Sequence, residues 1–283
     1  MACPGPPPAD PALAHVIPAT ADKLMVANAD GTNKVSIYSQ TGCSFSVTEP
    51  SWSPNGKAIA FKRVCVSTGY LRELWRIDVS VVNGVPTGSN AKQLTAACGS
   101  CYDPAWSPTG DVIAVVGGAD VSISDSIFLV DANTGVTTTF YRAVAGSDVL
   151  YVAWSSDGTR LAVVDGSNGL RGIKIVERAT GNVVKTLPPP PTNGVFFIDW
   201  ARQGVDKLAI RDDLSSPSND PYIYTLDIAT GTYTQIVAGN APTWSPDNTK
   251  LAFSANGYIN IIELVTGKVT QLWSGNFPDW RRF

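Results

Sequence analysis

A tryptophan-centred motif recurs along this chain of 283 residues, and it constrains the fold more than any other feature. A typical copy reads Trp-Ser, then a short turn rich in Pro, Asp, Asn and Gly, and then an apolar run such as Ile-Ala-Phe. The copies begin at Trp52, Trp106, Trp154, Trp200, Trp244 and Trp280. Periods of about 40 to 50 residues indicate repeated units, each of which buries its apolar surface against the next.

Each unit is predicted to contain four short strands, called a to d in chain order. Strand a ends at the tryptophan, and the turn after it leads into the apolar strand b. A second marker, a turn that ends in Thr-Gly, separates strands c and d, as at Thr134-Gly135 and Thr266-Gly267. Four antiparallel strands in one such period form a propeller blade. Five complete units and one shared unit therefore predict an all-β, six-bladed β-propeller.

The two ends of the chain are predicted to share the sixth blade. The C-terminal copy offers only strand a, within Phe277 to Arg281. We assign strand b to Lys23–Ala27, strand c to Asn33–Ser39 and strand d to Cys43–Val47. This arrangement closes the ring and leaves no open sheet edge.

The predicted domain organisation is a Pro/Ala-rich flexible leader or tether at residues 1–21 and a single propeller at residues 22–283. The one histidine, His15, falls in that leader, so the ring is expected to contain none. A metal site with two or three imidazoles is excluded, and a Ser-His-Asp triad is not expected. A net charge of −3 gives no cationic field, so we expect no nucleic-acid partner.

The repeated pattern, seen as Trp52-Ser53-Pro54-Asn55-Gly56-Lys57 followed by Ile59-Ala60-Phe61, resembles the WD40-like (PD40-type) repeat of TolB-like six-bladed propellers. The resemblance covers residues 22–283. Propeller domains of prolyl-oligopeptidase-like enzymes carry the same repeat beside a hydrolase domain, an activity that we do not expect here. The resemblance implies a propeller without catalytic residues, exported to the periplasm or cell surface, where it acts as a binding scaffold.

The binding surface is predicted on the face formed by the b-to-c and d-to-a loops, here called the long-loop face. The opposite face, formed by the a-to-b and c-to-d turns, is called the short-turn face. Long, irregular loops on a rigid ring commonly carry binding residues, and Tyr, Phe and Arg are frequent anchors of interfaces. We expect a monomer that binds a protein or peptide partner through the following residues: Arg63, Tyr70, Arg72, Tyr102, Asp103, Tyr151, Arg171, Phe196, Phe197, Arg211, Asp212 and Tyr222.

The cysteines divide into two groups. Cys43, Cys65, Cys98 and Cys101 fall within the predicted ring and are disulfide candidates, with Cys65 able to pair with Cys98 or Cys101. Free thiols and a thiolate metal site are the alternatives. Cys3, between Ala2 and a Pro/Gly-rich stretch, resembles the lipidated start of a mature bacterial lipoprotein. A lipid on Cys3 would be the sole membrane attachment that we expect.

Two other functions stay open at this stage, although no cofactor is required by the preferred interpretation. Six-bladed lactonases use a central calcium ion, and oxygen ligands could come from Glu49, Asp103, Asp199 and Asp279 near the starts of the inner strands. Such a protein would be a calcium-dependent hydrolase with its site in the central channel. A surface propeller that binds a glycan is the second alternative. The sialidase repeat, in which Trp follows the turn, does not match because Trp precedes the turn here.

Overall fold

A computed structural model of the chain describes residues 13–16, 22–39, 47–65, 71–95, 101–118, 124–167, 170–190, 194–212 and 221–281. These ranges form strands and turns, and no helix within them is long and apolar enough to cross a lipid bilayer. The strands are β1 (Leu13–Val16), β2 (Lys23–Ala27), β3 (Val35–Ser39), β4 (Val47–Trp52), β5 (Ala58–Cys65), β6 (Leu71–Val82), β7 (Val85–Thr95), β8 (Tyr102–Trp106), β9 (Val112–Gly117), β10 (Ser126–Asp131), β11 (Thr137–Arg142), β12 (Asp148–Trp154), β13 (Arg160–Ser167), β14 (Leu170–Glu177), β15 (Val183–Thr186), β16 (Val195–Trp200), β17 (Lys207–Asp212), β18 (Tyr222–Asp227), β19 (Tyr233–Ala238), β20 (Asn240–Trp244), β21 (Lys250–Ala255), β22 (Tyr258–Glu263), β23 (Val269–Ser274) and β24 (Asn276–Trp280).

The strands form six four-stranded antiparallel sheets, which confirms the six-bladed propeller. Blades 1 to 5 are continuous in sequence: β4–β7, β8–β11, β12–β15, β16–β19 and β20–β23. The first strand of each blade ends at the repeated tryptophan, as predicted, and lies against the central channel. Among the strand residues, most of the exposed ones lie in the fourth strand of a blade, as in β15, where all four residues are exposed.

Blade 6 is shared by the two chain ends, as predicted, but its strands are not the predicted ones. Its order is β24-β1-β2-β3, so Leu13–Val16 supplies strand b, and Lys23–Ala27 supplies strand c instead of b. Val47, predicted to end strand d, begins the first strand of blade 1, and Cys43 lies outside the described residues. The assignment of residues 13–16 to the leader was therefore wrong.

Strand β1 is easily missed because it is only four residues long and lies between Pro11 and Pro18. Packing rather than sequence pattern holds it: Leu13 and Ala14 are fully buried, and Leu13 pairs in register with Trp280. His15 pairs with Met25 in the neighbouring strand, so the one histidine belongs to the ring and not to a tail outside it.

The residue after each tryptophan explains why the motif forms a hairpin. In the first copy, the backbone N–H of Ser53 donates to the Ala58 carbonyl at 2.8 Å, and the Ala58 N–H donates to Ser53 Oγ at 2.9 Å. Asn55 Oδ1 accepts hydrogen bonds from Ser53 Oγ and from the Lys57 N–H. The Ser and the Asn/Asp two residues later thus satisfy the backbone of a tight turn.

The residue before the tryptophan joins neighbouring blades. Asp279 Oδ2 accepts the Trp52 N–H at 2.7 Å, and Asp199 Oδ2 accepts the Trp244 N–H at 2.8 Å. At the same position, Ser51 Oγ accepts from the next blade's tryptophan N–H at 3.0 Å, and Thr243 Oγ1 does so at 3.4 Å. A recurring side chain-to-backbone bond therefore holds the inner strands of adjacent blades together.

Candidate functional site

Six residues, each three positions before a repeated tryptophan, line the channel or touch its lining at the end nearer the long-loop face. We call this set the channel mouth: Glu49, Asp103, Tyr151, Phe197, Ala241 and Phe277. Below them lies a cavity of about 80 Å³, lined further by the prolines and small residues of the inner strands. That volume is enough for a few ordered water molecules or a small group of a ligand.

A backbone irregularity puts these side chains at the mouth. The ladder between the first two strands shifts register at this point in all six blades. Five of the six residues have positive φ, between 46° and 53°. Positive φ is uncommon outside glycine, and such residues concentrate at bulges that redirect a side chain. The repeated bulge therefore belongs to the architecture of the ring, while the side chains at it differ from blade to blade.

One half of the channel mouth is acidic. Glu49 Oε2 accepts the Asp103 N–H at 2.8 Å, while Glu49 Oε1 forms an ion pair with Lys62. Asp103 Oδ2 in turn accepts the Val152 N–H at 2.7 Å. Burial, and then the charge of Glu49, raises the pKa of the Asp103 carboxyl well above its ordinary value.

The other half of the channel mouth is aromatic. The Tyr151 and Phe197 ring centres are 4.7 Å apart, and those of Phe197 and Phe277 are 5.8 Å apart. Phe196, the neighbour of Phe197, lies 6.3 Å from Tyr151 in an edge-on arrangement. The small Ala241 at the intervening position leaves room for Phe197 and Phe277 to meet. Aromatic pairs in these geometries are stabilising and rigid.

Two arginines border the aromatic half. The guanidinium carbon of Arg171 lies 4.2 Å from the centre of the Phe196 ring, and that of Arg211 lies 5.2 Å from it. Arg211 is also 5.9 Å from the Phe197 ring centre. Arg171, Arg211 and the rings of Tyr151, Phe196 and Phe197 are each partly exposed, so this part of the surface is accessible to a partner.

The structure thus brings together Tyr151, Arg171, Phe196, Phe197 and Arg211 from the predicted binding set. A second group lies near blades 1 and 2, where Arg63 stacks on Trp75 at 4.3 Å and Arg72 stacks on Tyr102 at 5.3 Å. Here the Tyr102 hydroxyl donates to the Val149 carbonyl at 2.9 Å, which ties one blade to the next.

Placement differs from the prediction in two respects. The predicted binding residues that are described all lie in strands, not in loops, because the ladders extend further than the breaker residues suggested; β13 and β14, for example, run to Ser167 and from Leu170. Asp212 is 1% exposed and so lies beneath the surface, and Tyr222 packs on the core. Tyr70 lies outside the described residues.

Among the aromatic residues of the mouth, Phe277 is the one that sequence reasoning missed. Its signal was present: Phe277-Pro278 occupies the position of Glu49-Pro50 and Asp103-Pro104 in other copies. Aligning the copies on tryptophan and reading three residues back would have found it.

The four carboxylates proposed as calcium ligands form hydrogen bonds or ion pairs within the ring, which the sequence did not reveal. Asp199 and Asp279 accept backbone N–H groups of the next blade, and Asp199 also binds both terminal nitrogens of Arg202 at 2.9 and 2.8 Å. In the described part of the chain, no group of three or more His, Cys, Asp or Glu side chains is arranged to hold a metal ion.

Among the cysteines, Cys101 is 1% exposed and takes part in a disulfide. The side chains of Cys3, Cys43, Cys65 and Cys98 lie outside the described part of the chain, so its pairing stays a prediction. In the backbone, Cys65 pairs with Leu71, and the Cys101 N–H donates to the carbonyl of the adjacent Arg72 at 3.3 Å.

No protein-family model matches the chain. A stretch of 60 residues is 43% identical to the Tol-Pal system protein TolB of Zymomonas mobilis, which amounts to 21% of this chain and 11% of that protein. The chain therefore spans only a small part of the curated relative that it matches.

Solved structures agree with the fold. TolB from Acinetobacter baumannii superposes with a TM-score of 0.70 at 17% identity, over 96% of this chain and 67% of that one. A putative TolB from Agrobacterium tumefaciens gives 0.64 at 15% identity, over 94% and 90%. An oligogalacturonate lyase in complex with manganese gives 0.56 at 13% identity, over 87% and 71%. The chain is thus a six-bladed propeller whose fold is similar to that of the TolB structures, and one 60-residue stretch of it is similar in sequence to a TolB.

Proposed function

We propose that this TolB-like propeller is a non-catalytic binding scaffold, exported to the periplasm or cell surface, whose long-loop face holds a protein or peptide partner. The observation that carries the proposal is the channel mouth, where partly buried aromatic rings and two arginines sit on a rigid ring of bulged strands. Aromatic and arginine side chains dominate the energetics of protein interfaces, and rigid presentation reduces the ordering cost of binding.

The similarity to a Tol-Pal system protein supports a role in an assembly of proteins, whereas the similarity to a lyase shows that the same fold also carries catalysis. The proposed binding needs no cofactor and no catalytic group. It treats the protein as a monomer, with a lipid on Cys3 as its proposed means of membrane attachment.

Site-specific photocrosslinking in the native cells tests the proposal. A photoreactive amino acid replaces Phe196 at the aromatic half of the mouth, and in a matched variant it replaces Val136, which is 65% exposed in a turn on the short-turn face. We expect a defined protein adduct from position 196 and none from position 136. Adducts from position 136 alone, or the same adducts from both, would contradict the proposal.

The calcium-dependent alternative makes a different prediction. Binding to the folded protein raises its melting temperature in proportion to ligand concentration. A rise with millimolar calcium that a chelator reverses would favour that alternative, and an unchanged melting temperature would count against it.

A further inference from the structure

We propose that Arg171 and Arg211, stacked on the ring of Phe196, bind a carboxylate side chain in an acidic segment of the partner protein. This inference rests on the proposed binding function and names the chemistry of the partner. The two guanidinium carbons lie 4.2 and 5.2 Å from the centre of one ring. Arg171 comes from blade 3, whereas Phe196 and Arg211 are cross-strand partners in blade 4, so the cluster spans a blade junction.

Two other arginine–aromatic stacks in the described part of the chain differ from that of Arg171 in their charge pairing. Arg160 stacks on Trp200 and pairs with Asp206 at 2.9 Å, and Arg178 stacks on Trp154 and pairs with Asp111 at 2.5 Å. These ion pairs join blades at the short-turn face and leave little of the charge for a ligand. Their role is therefore structural.

Arg171 has no hydrogen bond or ion pair in the part of the chain that the structure describes; its one contact of this kind is the Phe196 ring. The stack holds the guanidinium in place, so less side-chain freedom is lost when a ligand binds. A partly exposed, pre-oriented guanidinium is suited to a carboxylate, which it can bind through two parallel hydrogen bonds.

The carboxylates around this place leave the charge of Arg171 unpaired. Glu49 is paired with Lys62, and Asp103 accepts the Val152 N–H. The exposed Asp148 is in the same sheet, opposite Gly166, which in turn pairs with Arg171; it lies two strands away and forms no ion pair with Arg171 in the described part of the chain. The aromatic half of the mouth next to Arg211 offers apolar contact, so an acidic residue beside an apolar one fits best.

A peptide is favoured over an acidic saccharide because the ring of Phe196 is already covered by guanidinium groups. Saccharides are commonly held by stacking a sugar ring on an open aromatic face, and the rings of Tyr151, Phe197 and Phe277 pack on one another instead. A carboxylate on a flexible side chain needs no such face.

Fluorescence anisotropy with three matched peptide probes tests the inference on the full chain. The probes are blocked heptapeptides with a central Phe flanked by Glu, by Gln or by Lys. We expect the Glu probe to bind roughly tenfold more tightly than the Gln probe at low salt, because a hydrogen bond between two charged groups is stronger than one to a neutral amide. The Lys probe should bind most weakly, and the Glu preference should shrink as salt is added.

Variants locate the effect. Arg171→Gln should abolish the Glu-over-Gln preference, and Arg171→Lys should retain part of it. The matched control is Arg142→Gln, which removes a 59%-exposed guanidinium from the same face, where it pairs with Asp125 and stacks on no ring. This variant should keep the full preference.

The outcomes separate the inference from the proposed function. Equal binding of the Glu and Gln probes, or a preference that survives Arg171→Gln, would overturn the inference while crosslinks at position 196 still supported the function. Tighter binding of trigalacturonate than of the Glu probe would overturn the peptide assignment in favour of an acidic saccharide. Absence of both crosslinks and peptide binding would overturn function and inference together.

Discussion

At the scale of single residues, the position three before each tryptophan combines a common backbone with different chemistry. The bulge recurs in all six blades and its positive φ in five of them, whereas the side chains are acidic in blades 1 and 2 and aromatic in blades 3, 4 and 6. The bulge, which the blades share, is part of the ring's architecture. The side chains at the bulge differ between blades, and this difference makes the aromatic half of the mouth suited to a partner.

Asp103 gives a prediction about pH at this scale. Because its pKa is raised on folding, the folded protein keeps a proton that the unfolded chain has lost, and the free energy of unfolding falls as pH rises above the ordinary aspartate value. Asp103→Asn keeps an oxygen to accept the Val152 N–H but carries no charge. We expect its melting temperature to fall less than that of the wild type between about pH 5 and about pH 8.

Asp131→Asn is the control for that experiment. Asp131 accepts the N–H groups of Thr134 and Asn133 in an exposed turn, and these hydrogen bonds lower its pKa. A lowered pKa affects stability in the opposite direction. The ionised Asp131 stabilises the folded state at pH values above the ordinary aspartate pKa, and that contribution is lost as the pH falls into the acid range. Identical pH profiles for wild type and Asp103→Asn would contradict the expectation.

At the scale of elements, the inner strands are joined by one recurring contact, in which the residue before the tryptophan accepts a backbone N–H of the next blade. The length of this hydrogen bond and the charge of its acceptor differ around the ring. Asp279 lies 2.7 Å from the Trp52 nitrogen at the junction between the shared blade and blade 1, whereas Thr243 Oγ1 lies 3.4 Å from the Trp280 nitrogen. A shorter bond to a charged acceptor is the stronger of the two.

Asp279→Ala should therefore destabilise the propeller by about 1–3 kcal/mol, because the buried N–H of Trp52 loses its acceptor. Thr243→Val removes the longer bond, together with the bond that Thr243 Oγ1 donates to Asp199 Oδ2 at 3.0 Å, with almost no change in side-chain volume. It should cost less, because Asp199 keeps Arg202 and the Trp244 N–H as partners. Urea unfolding followed by tryptophan fluorescence measures both. An equal or larger loss of stability for Thr243→Val would contradict the expectation that the bond from the Trp52 N–H to Asp279 is the stronger of the two.

At the scale of the whole molecule, the ring is closed by strands from both chain ends, and β1 lies between β24 and β2. A variant that lacks residues 1–12 retains β1, whereas a variant that lacks residues 1–21 loses it. Without β1, the edges of β24 and β2 lose their partner, and the burial of Leu13 and Ala14 is lost.

We expect removal of residues 1–12 to lower the melting temperature less than removal of residues 1–21, because only the longer deletion removes β1. Removal of residues 1–21 should cost roughly 3 kcal/mol or more through lost burial and unpaired edges. Calorimetry and size-exclusion chromatography measure the two effects, since an open edge also promotes association. Equal stability of the two variants would mean that β1 contributes nothing to closure.

The sequence by itself determined the repeat, the number of blades, the end of each inner strand and the sharing of the last blade. These follow from local chemistry: Trp-Ser with Asn or Asp two residues later satisfies a turn wherever it occurs, and copies at a regular period stack.

Only the tertiary structure decided which side chains meet. Leu13–Val16 is a strand because Trp280 and Ala27 lie on either side of Leu13, not because of any pattern in four residues between prolines. Arg171 and Phe196 come together across a blade junction, and Asp212 turned away from the surface that its neighbour Arg211 reaches. Contacts of this kind depend on how the blades are arranged around the channel, and the sequence of one unit contains no record of its neighbour.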